Sequence, residues 1–404
     1  MESNATGSLG ALRESNTGRV VEALNALGTA SRAQLARRTG LARSTVSSIV
    51  AELQRDGVIV SSESNGSKPT SGLGRPPSLI ALNPSAQAAV GIDFGKRHLA
   101  VAVADLSHTV LAERRREMRD DYEAHEGFQA AAELVEEVLD TAGIPRDRVL
   151  GVGMGLPGPV QLRGTLGSET ILPGWAGVSA AGEMSDRLGL PVQVENDANL
   201  GALAEHRFGA GLGSDSLAYL KVATGIGAGL IVEGRLFRGA GGTAGEIGHT
   251  IVDETGDVCR CGNRGCLETY ASAPAIVALL QRSLGAEMEP EQVVERAREG
   301  DAACRRVLAD AGRHIGVAVA NLCNLFNPER VVVGGSIASA DDLVLEPLRE
   351  SVQLRAIPSA SEDVQIVPGL LGERAELLGA VALVLQQAGP LMAAGREGPA
   401  REAS

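Results

Sequence analysis

Val90-Gly91-Ile92-Asp93-Phe94-Gly95 and, after a short loop, Leu99-Ala100-Val101-Ala102-Val103-Ala104-Asp105 predict a β-hairpin. Farther along the chain, stretches 218–222 and 229–232 predict a second hairpin around the turn Ala223-Thr224-Gly225-Ile226-Gly227-Ala228. Strands and helices alternate around both hairpins, which is typical of an α/β core. Each hairpin lies near the start of one half of this region. We therefore expect a duplicated α/β lobe with a cleft between the two copies.

The remaining elements of this region complete the α/β pattern. Helices are predicted at 123–142, 200–208 and 305–325, and strands at 149–155, 192–194 and 330–333. Two of these strands end at polar or glycine-rich runs, namely Glu195-Asn196-Asp197-Ala198-Asn199 and Gly334-Gly335-Ser336. Cys304 and Cys323 fall within helical patterns, so we expect them in the core.

A separate module precedes the hairpins, and residues 17–83 predict a winged helix-turn-helix. Its first helix spans 17–27, and Ser31 with Gln34 forms the capping box of a short second helix. A third helix spans about 43–55, and a strand at 58–60 leads into a wing. The side chains expected in the core of this module are Val20, Val21, Leu24, Leu27, Val46, Ile49, Val50 and Leu53.

The third helix carries a polar face that suits contact with DNA. This face carries Arg43, Ser44, Thr45, Ser47, Ser48 and Gln54, of which the first five are the candidate DNA contacts. Short hydroxyl side chains let a helix sit deep in the major groove and hydrogen-bond to phosphates or base edges. A solvated helix face has the same composition, so the pattern alone leaves both interpretations open.

The predicted wing is a stretch rich in Ser and Gly that ends in Gly74-Arg75-Pro76-Pro77. Prolines that stiffen a single arginine, Arg75, suit insertion into a narrow minor groove, although an ordinary proline-rich linker fits equally well. Eight basic and four acidic residues give region 17–84 a net charge of +4, whereas the whole chain carries −13. This asymmetry is expected when only one end of a protein touches operator DNA.

A second cluster of polar residues has the composition of a zinc site. It consists of His249, Cys259, Cys261 and Cys266. One imidazole and three thiolates make a complete tetrahedral ligand set, and Gly262 and Gly265 allow the tight turns that bring the sulfurs together. A loop that carries free thiols is the alternative. Four protein ligands leave no open position, so the predicted zinc is structural.

Composition limits the class of protein further. Five cysteines, an odd number, argue against a disulfide framework and for a reducing compartment. No apolar run reaches the length of a membrane span, and residues 1–15 lack an apolar signal core. We therefore expect a soluble, cytoplasmic protein without a membrane partner. Residues 1–16 and 389–404 are expected to be disordered.

Several motifs together resemble the ROK family of repressors, open reading frames and sugar kinases. They are Leu-Pro-Gly-Pro at 156–159, Glu-Asn-Asp-Ala-Asn at 195–199, Thr-Gly-Ile-Gly-Ala-Gly at 224–229, Ala-Gly-Glu-Ile-Gly-His at 244–249, the cysteine run at 259–268 and Val-Val-Gly-Gly at 332–335. The resemblance covers about residues 83–387, and the leading helix-turn-helix resembles the family's transcriptional repressors. It implies a two-lobed, actin/hexokinase-like (ribonuclease H-like) ATPase fold. The small lobe would span 84–200 and be completed by about 372–388, and the large lobe with the zinc site would span 201–371.

The resemblance also implies a sugar site in the cleft. Asn196, Asp197, Glu246, His249 and Glu268 supply the planar donors and acceptors that sugar hydroxyls need. Asp197 matches the catalytic base of the family's kinases, and Glu246 and Glu268 match residues that hold ring hydroxyls. His249 matches a residue that binds zinc with one nitrogen and faces the sugar with the other, so the metal would organise this loop. Asp197 could also cap the helix predicted near Leu200, and the two roles are compatible.

The phosphate side matches the family's kinases less well. The residues expected at nucleotide or phosphate are Asp93, Gly95, Thr224, Gly225, Gly227, Gly334 and Gly335. Where the kinases carry Asp-x-Gly-Gly-Thr, this chain has Lys96 and Arg97 after Gly95. Two long cations would crowd the phosphate path, although Asp93 could still position magnesium. The departure argues against turnover of ATP with Mg²⁺ without excluding it.

These observations favour a sugar-responsive transcriptional regulator that binds a sugar or sugar phosphate in its cleft. Symmetric repressors read paired half-sites, so we expect a homodimer or homotetramer. An ATP-dependent, glucokinase-like sugar kinase, with or without DNA binding, is the second hypothesis. A protein-interaction scaffold with a vestigial cleft is the third.

Overall fold

The computed structural model describes residues 4–62, 78–120, 122–160, 173–175, 177–285 and 288–386. A three-stranded sheet with three helices stands at the N-terminus, and two five-stranded sheets follow. Among the described residues, no helix combines the length and the apolarity that crossing a bilayer requires.

The N-terminal unit, called the head below (residues 4–62 and 78–82), is the predicted helix-turn-helix. Its elements are α1 (Asn4–Leu27), β1 (Thr29–Ala30), α2 (Arg32–Thr39), α3 (Arg43–Arg55), β2 (Ile59–Ser62) and β3 (Leu79–Leu82). The strands pair antiparallel in the order β1-β3-β2. The capping box of Ser31 and Gln34 is present at the start of α2. All the core side chains predicted for α3 are buried.

The head differs from the prediction at its first helix and at Leu27. Helix α1 begins at Asn4, so residues 4–16, expected to be disordered, are helical, and Arg13 forms an ion pair with Glu52 of α3 at 2.8 Å. Leu27 is 44% exposed because the chain turns at Gly28, with φ +67°, before this side chain reaches the core. Arg75, most of the wing and the tail 389–404 lie outside the described residues.

The rest of the structure, residues 88–386, is called the body. Its first sheet has the strand order β6-β5-β4-β7-β8, with β4, β5 and β6 antiparallel and β7 and β8 parallel to β4. The first-lobe elements are β4 (Ala88–Phe94), β5 (His98–Asp105), β6 (Val110–Glu117), α4 (Ala124–Ala142), β7 (Val149–Leu156), α5 (Ala180–Leu188) and β8 (Val192–Asn196). Phe94, Phe128 and Trp175 meet edge to face in the core beneath this sheet.

The second sheet repeats this arrangement in the order β11-β10-β9-β12-β13, which confirms the predicted duplication. The elements that follow the first lobe are α6 (Asp197–Phe208), β9 (Leu217–Val222), β10 (Ile226–Val232), β11 (Arg235–Phe237), α7 (Glu268–Ala271), α8 (Ala273–Leu284), α9 (Pro290–Glu299), α10 (Ala302–Phe326), β12 (Arg330–Gly334), α11 (Asp342–Arg355), α12 (Pro358–Ser361), β13 (Gln365–Pro368) and α13 (Ala375–Gln386). Cys304 and Cys323 are buried in the core, as predicted.

Helices α6 and α13 cross at very close range between the two lobes. A Cβ atom on Gly379 of α13 would lie 2.0 Å from the carbonyl oxygen of Leu200 in α6, so only glycine fits there. Helix α13 also lies on the first sheet, where a Cβ on Gly153 would meet the carbonyl oxygen of Ala380. The C-terminal helix therefore completes the first lobe while it contacts the helix that leads into the second.

The head and the body share one hydrophobic core. Side chains of the head such as Val20, Leu24 and Ile80 pack in the same buried cluster as side chains of the body. The contributions of the body to this cluster are Ala89, Ala104, Leu106, Leu150, Val381, Val384 and Leu385. Because this apolar surface is removed from water on both sides, the head is fixed to the body by the hydrophobic effect.

Candidate functional site

The four residues predicted to bind zinc come together. Their ligand atoms all lie within 4.8 Å of one another. The Cys259 Sγ to His249 Nδ1 distance is 3.6 Å, and the Cys261 Sγ to Cys266 Sγ distance is 3.7 Å. A tetrahedral zinc with Zn–S bonds of about 2.3 Å separates its ligand atoms by roughly 3.7 Å. The donor set and its spacing therefore fit a structural zinc ion, which would cross-link the loop.

Backbone geometry explains how this loop brings the sulfurs together. Gly262 and Gly265 have φ of +92° and +69°, a region that favours glycine. A Cβ on Gly265 would lie 1.5 Å from the carbonyl oxygen of Asp253. Both glycines are thus required by the turn, as the sequence predicted.

A cavity of about 410 Å³ lies between the lobes next to the metal loop. Its lining includes all five predicted sugar-binding residues, Asn196, Asp197, Glu246, His249 and Glu268. Thr224, Gly225 and Gly227 of the β9–β10 turn also line it, and Lys96, Pro157 and Gly158 contribute from the first lobe. The volume and the polar lining suit a monosaccharide.

Asp197 stands at the first position of α6 and its carboxylate receives three hydrogen bonds. Asn196 Nδ2 and the Ala198 amide donate to Oδ1 at 3.1 and 2.8 Å. Lys221 Nζ donates to Oδ2 at 2.9 Å. The helix begins at Asp197 rather than near Leu200, and its N-cap is Asn196, whose side chain accepts from the Asn199 amide. Asp197 itself is therefore not the cap, and its carboxylate can face the cavity.

Lys221 is a site residue that the sequence analysis missed. Its ammonium lies 2.9 Å from Asp197 and 3.2 Å from Glu376. Although burial lowers the pKa of Lys221, the carboxylates of Asp197, Glu376 and Asp93 raise it above its ordinary value, so the ammonium stays charged. A single lysine inside the apolar strand Leu217–Val222 was the available signal.

Arg260 is a second site residue that was not predicted, and its guanidinium binds the carboxylate of Glu268. Arg260 Nε and Nη2 lie 2.8 and 2.9 Å from the two oxygens of Glu268. The Ile226 amide of the glycine-rich turn donates to Glu268 Oε2 at 3.1 Å. Arg260 stands between Cys259 and Cys261 in the chain, so the cysteine loop places its guanidinium on Glu268, a predicted sugar contact. Bidentate pairing of this kind fixes orientation.

Glu246 has a different environment. Burial raises the pKa of its carboxyl above the ordinary value, and the negative charges of Asp197 and Glu268 add to the shift. A carboxyl that protonates more readily can donate to a sugar hydroxyl as well as accept from one.

The predicted nucleotide residues are only partly brought to the cavity. The described residues that line the cavity do not include Asp93, Gly95, Gly334 or Gly335. His98 Nε2 lies 2.9 Å from Asp93 Oδ2, and the imidazole packs over Gly95, where a Cβ would come within 2.1 Å of the ring. Although burial raises the pKa of Asp93, the His98 hydrogen bond and the Lys221 charge bring it below the ordinary value.

The two cations after Gly95 differ in position. Lys96 lines the cavity, whereas Arg97 pairs with Asp120 and Glu289 at 3.5 and 3.3 Å on the exposed surface. Of the two cations predicted to crowd a phosphate, only Lys96 lies at the cavity, and His98, which was not predicted, covers Gly95.

The predicted DNA-contacting face of α3 is accessible. Arg43, Ser44, Ser47 and Ser48 are exposed, and Thr45 is half-buried. Among the described residues, none of these five side chains has a hydrogen-bond or ion-pair partner. Such a face is free to bind the edges of bases.

A second, larger cavity of about 980 Å³ lies at the junction of the head and the body. Arg207, near the end of α6, lies 3.8 Å from Glu22 of α1. Asn25 of α1 lies 2.7 Å from His108 Nδ1 in the β5–β6 turn, and the His108 ring packs on Phe208 with centroids 5.1 Å apart. Burial, together with the Arg207 charge, lowers the pKa of His108 to about 3.

Comparison with known proteins identifies relatives of both parts of the chain. A family model described as "ROK family" matches residues 89–387, and one described as "Winged helix-turn-helix DNA-binding" matches residues 13–60. The xylose repressor of Caldicellulosiruptor bescii is 32% identical over 88% of this chain and 91% of its own.

Two crystal structures extend the comparison. A ROK family transcriptional regulator, homologous to the Escherichia coli Mlc protein, superposes with a TM-score of 0.82 at 26% identity, over 96% of this chain and 100% of that one. A ROK family glucokinase from Streptomyces griseus, in complex with glucose and AMPPNP, superposes with a TM-score of 0.64 at 31% identity, over 73% of this chain and 98% of the glucokinase.

Proposed function

Because the chain belongs to the ROK family and carries a winged helix-turn-helix, we propose that it is a sugar-responsive, DNA-binding transcriptional regulator that acts as a repressor. Its body has the two-lobed, actin/hexokinase-like α/β fold of that family. Such a regulator acts in the cytoplasm, where operator DNA is found.

One observation carries the proposal: a head with an accessible recognition helix shares a buried core with a body that contains a sugar-sized cavity. A shared core lets a change in the body reach the head. The likeness to a xylose repressor and to a ROK transcriptional regulator, which covers most of each chain, supports the same function. A sugar or sugar phosphate is the proposed ligand, and Asn196, Asp197, Glu246, His249 and Glu268 are its proposed contacts.

Zinc is the proposed structural cofactor. His249, Cys259, Cys261 and Cys266 would hold it, and it would fix the loop that carries both His249 and Arg260. Bound metal would thereby set the position of two cavity-lining side chains without contacting the ligand.

Electrophoretic mobility of DNA from upstream of the protein's own gene tests DNA binding. Deletion of residues 1–83 would expose the shared core, so the double substitution Arg43→Ala/Ser47→Ala on α3 is the better variant. We expect it to weaken DNA binding by at least about tenfold, since each good base contact contributes about 1–3 kcal/mol. The matched control is Arg187→Ala on exposed α5. Equal affinity of both variants would refute the proposed recognition helix.

A sugar kinase is the second candidate, because Asp197, Thr224, Gly225 and Gly227 all line the cavity. The His98 imidazole on Asp93 and Gly95 argues against it, since it occupies the residues proposed for magnesium and phosphate. A coupled assay of ADP release with D-glucose, D-xylose and N-acetylglucosamine decides between the two. Turnover that Asp197→Asn abolishes would establish a bifunctional protein.

We also propose that the regulator is a homodimer or homotetramer. A helix-turn-helix protein reads two half-sites about 34–36 Å apart, or multiples of that distance, through its own two-fold symmetry. Light scattering of the purified protein measures this, and a strict monomer would contradict it.

A further inference from the structure

Two helices lead from the sugar cavity to the DNA-binding head, and one lysine joins them at the cavity end. We propose that Lys221 is a positioning residue that couples occupancy of the cavity to the head by holding Asp197 of α6 and Glu376 of α13 together. The inference rests on the proposed function, since it assigns the route by which the sugar would act.

The charged cluster at the cavity end is compact and largely buried. Lys221 Nζ lies 2.9 Å from Asp197 Oδ2 and 3.2 Å from Glu376 Oε1, and the side chains of Asp197 and Glu376 are 16% and 7% exposed. Tyr219 OH donates to the same Glu376 oxygen at 3.5 Å. Both carboxylates stand in the first turns of their helices, where the helix dipole favours negative charge. One ammonium thus pairs with the first turns of both helices and offsets part of their combined negative charge.

Helix α6 connects this cluster to the head along its own length. Asp197 is its first residue, and Arg207 and Phe208 are its last two. Arg207 pairs with Glu22 of α1, and Phe208 packs on His108, which contacts Asn25 of α1. A helix of this length spans roughly 18 Å as a rigid element.

Helix α13 makes the second connection. Glu376 lies in its first turn, and Val381, Val384 and Leu385 near its end are buried in the core shared with the head. The contact at Gly379 and Leu200 leaves no room for the two helices to approach more closely. A small change at their N-terminal ends is therefore converted into a change of their relative orientation at the head.

A bound sugar changes the forces in the cluster because Asp197 and Lys221 both line the cavity. A hydroxyl that donates to Asp197 Oδ2 competes with the Lys221 ammonium for that oxygen, and Glu376 then holds a larger share of the ammonium. Ligand binding can shift an equilibrium only if the ligand binds the two states unequally. The two states here differ in how Lys221 divides its hydrogen bonds between α6 and α13.

Hydrogen exchange of the full-length protein without ligand provides the direct test. Lys221→Met would leave two buried carboxylates without a counter-ion, so Glu376→Gln, which keeps shape and removes charge, is the variant of choice. We expect the amides of 17–27 in α1 to exchange at least about fivefold faster in Glu376→Gln, whereas α10 and α11 keep their protection. Unchanged exchange in α1 overturns the proposal. Equal loss in α10 and α11 shows a merely structural role and also overturns it.

A second arm uses D-xylose and D-glucose as probes. In the wild-type protein, we expect the sugar that binds to change exchange in α1; in Glu376→Gln, we expect binding within about threefold of wild type but little change in α1. An equal response of α1 in both proteins overturns the coupling role. If neither sugar binds the wild type, the sugar-responsive function fails for these ligands, while the ligand-free comparison still decides the role of Lys221. Asp341→Asn, which removes an exposed ion pair with Arg298, is the matched control.

Discussion

Arg260 shows how much at this site depends on single side chains. It lies between Cys259 and Cys261, and its Nε and Nη2 groups bind the two oxygens of Glu268. Glu268 in turn accepts from the Ile226 amide of the glycine-rich turn. Through Glu268, one guanidinium thus joins the proposed zinc loop to the glycine-rich turn that also lines the cavity.

Loss of one thiolate should therefore lower both the zinc content and the affinity for sugar. Cys261→Ser should lower zinc content well below one equivalent and weaken sugar binding by about tenfold or more, because His249 and Arg260 lose their fixed positions. Elemental analysis and calorimetry measure the two effects. Cys304→Ala is the control, since that thiol is buried in α10 away from the cluster. Full sugar affinity in zinc-free protein would remove the organising role of the metal.

Gly379 makes a second prediction for a single residue. Gly379→Ala should destabilise the protein by about 1–3 kcal/mol, because its Cβ would meet the backbone oxygen of Leu200 and the two helices would have to separate. Gly182→Ala in exposed α5 meets only the Ser179 side chain at 3.1 Å and should be neutral or slightly stabilising. Chemical denaturation distinguishes the two variants, and equal stability would mean that α6 and α13 can separate freely.

At the scale of elements, the two helices of the helix-turn-helix begin differently. Ser31 caps α2 with a complete capping box, whereas Ala42 at the start of α3 has no side-chain hydrogen bond. The φ and ψ of Ala42, −60° and 143°, are already close to those of an N-cap residue. The recognition helix thus lacks a stabilising contact that a single substitution can supply.

Ala42→Ser should stabilise the protein by about 0.5–2 kcal/mol, since the new hydroxyl can accept from a free amide in the first turn of α3. Ser31→Ala should destabilise the protein by a similar amount. Urea unfolding of both variants gives the comparison. A decrease in stability for Ala42→Ser would show that the start of α3 is held by contacts other than the cap.

The elements and the metal cluster were predictable from sequence because their signals are local. The capping box at Ser31, the core face of α3 and the cluster of one histidine and three cysteines all depend on residues near one another in the chain. Lys221, the single lysine in the apolar strand Leu217–Val222, indicates a buried charge but not its partners, and no motif specifies His98 or Arg260. Their roles arise only when the fold brings Asp93, Glu376 and Glu268 beside them, and Glu376 is remote from Lys221 in the chain. The prediction that Leu27 is buried was wrong because its exposure depends on the direction that the chain takes at Gly28.

For the whole molecule, the junction of head and body is expected to depend on pH through His108. The pKa of His108 is about 3 in the folded protein, below its ordinary value of 6.5, because of burial and the Arg207 charge. The unfolded chain therefore binds a proton that the folded chain does not, and this group costs stability as pH falls from about 6.5 toward 3. Burial also lowers the pKa of His206 and His314, which act in the same direction.

His108→Asn should reduce the loss of Tm between pH 7 and about pH 4.5, because the amide cannot charge in this range. Asparagine tolerates the φ of +63° at this position, and its oxygen can still accept from Asn25. Exposed His125→Asn in α4 is the matched control. If the Tm profile of His108→Asn follows that of the wild type, another group governs the acid sensitivity.

The buried cluster shared by head and body has a consequence for engineering new regulators. If the head is removed at the end of β3, Leu150, Val384 and their apolar neighbours in the body lose their packing partners. A head from another protein would then pack against a surface that does not match it. Exchange of DNA specificity should therefore be made by rewriting the outward side chains of α3, not by swapping the whole N-terminal unit. If the whole N-terminal unit is exchanged, the body residues that pack against it must be changed to match the new unit.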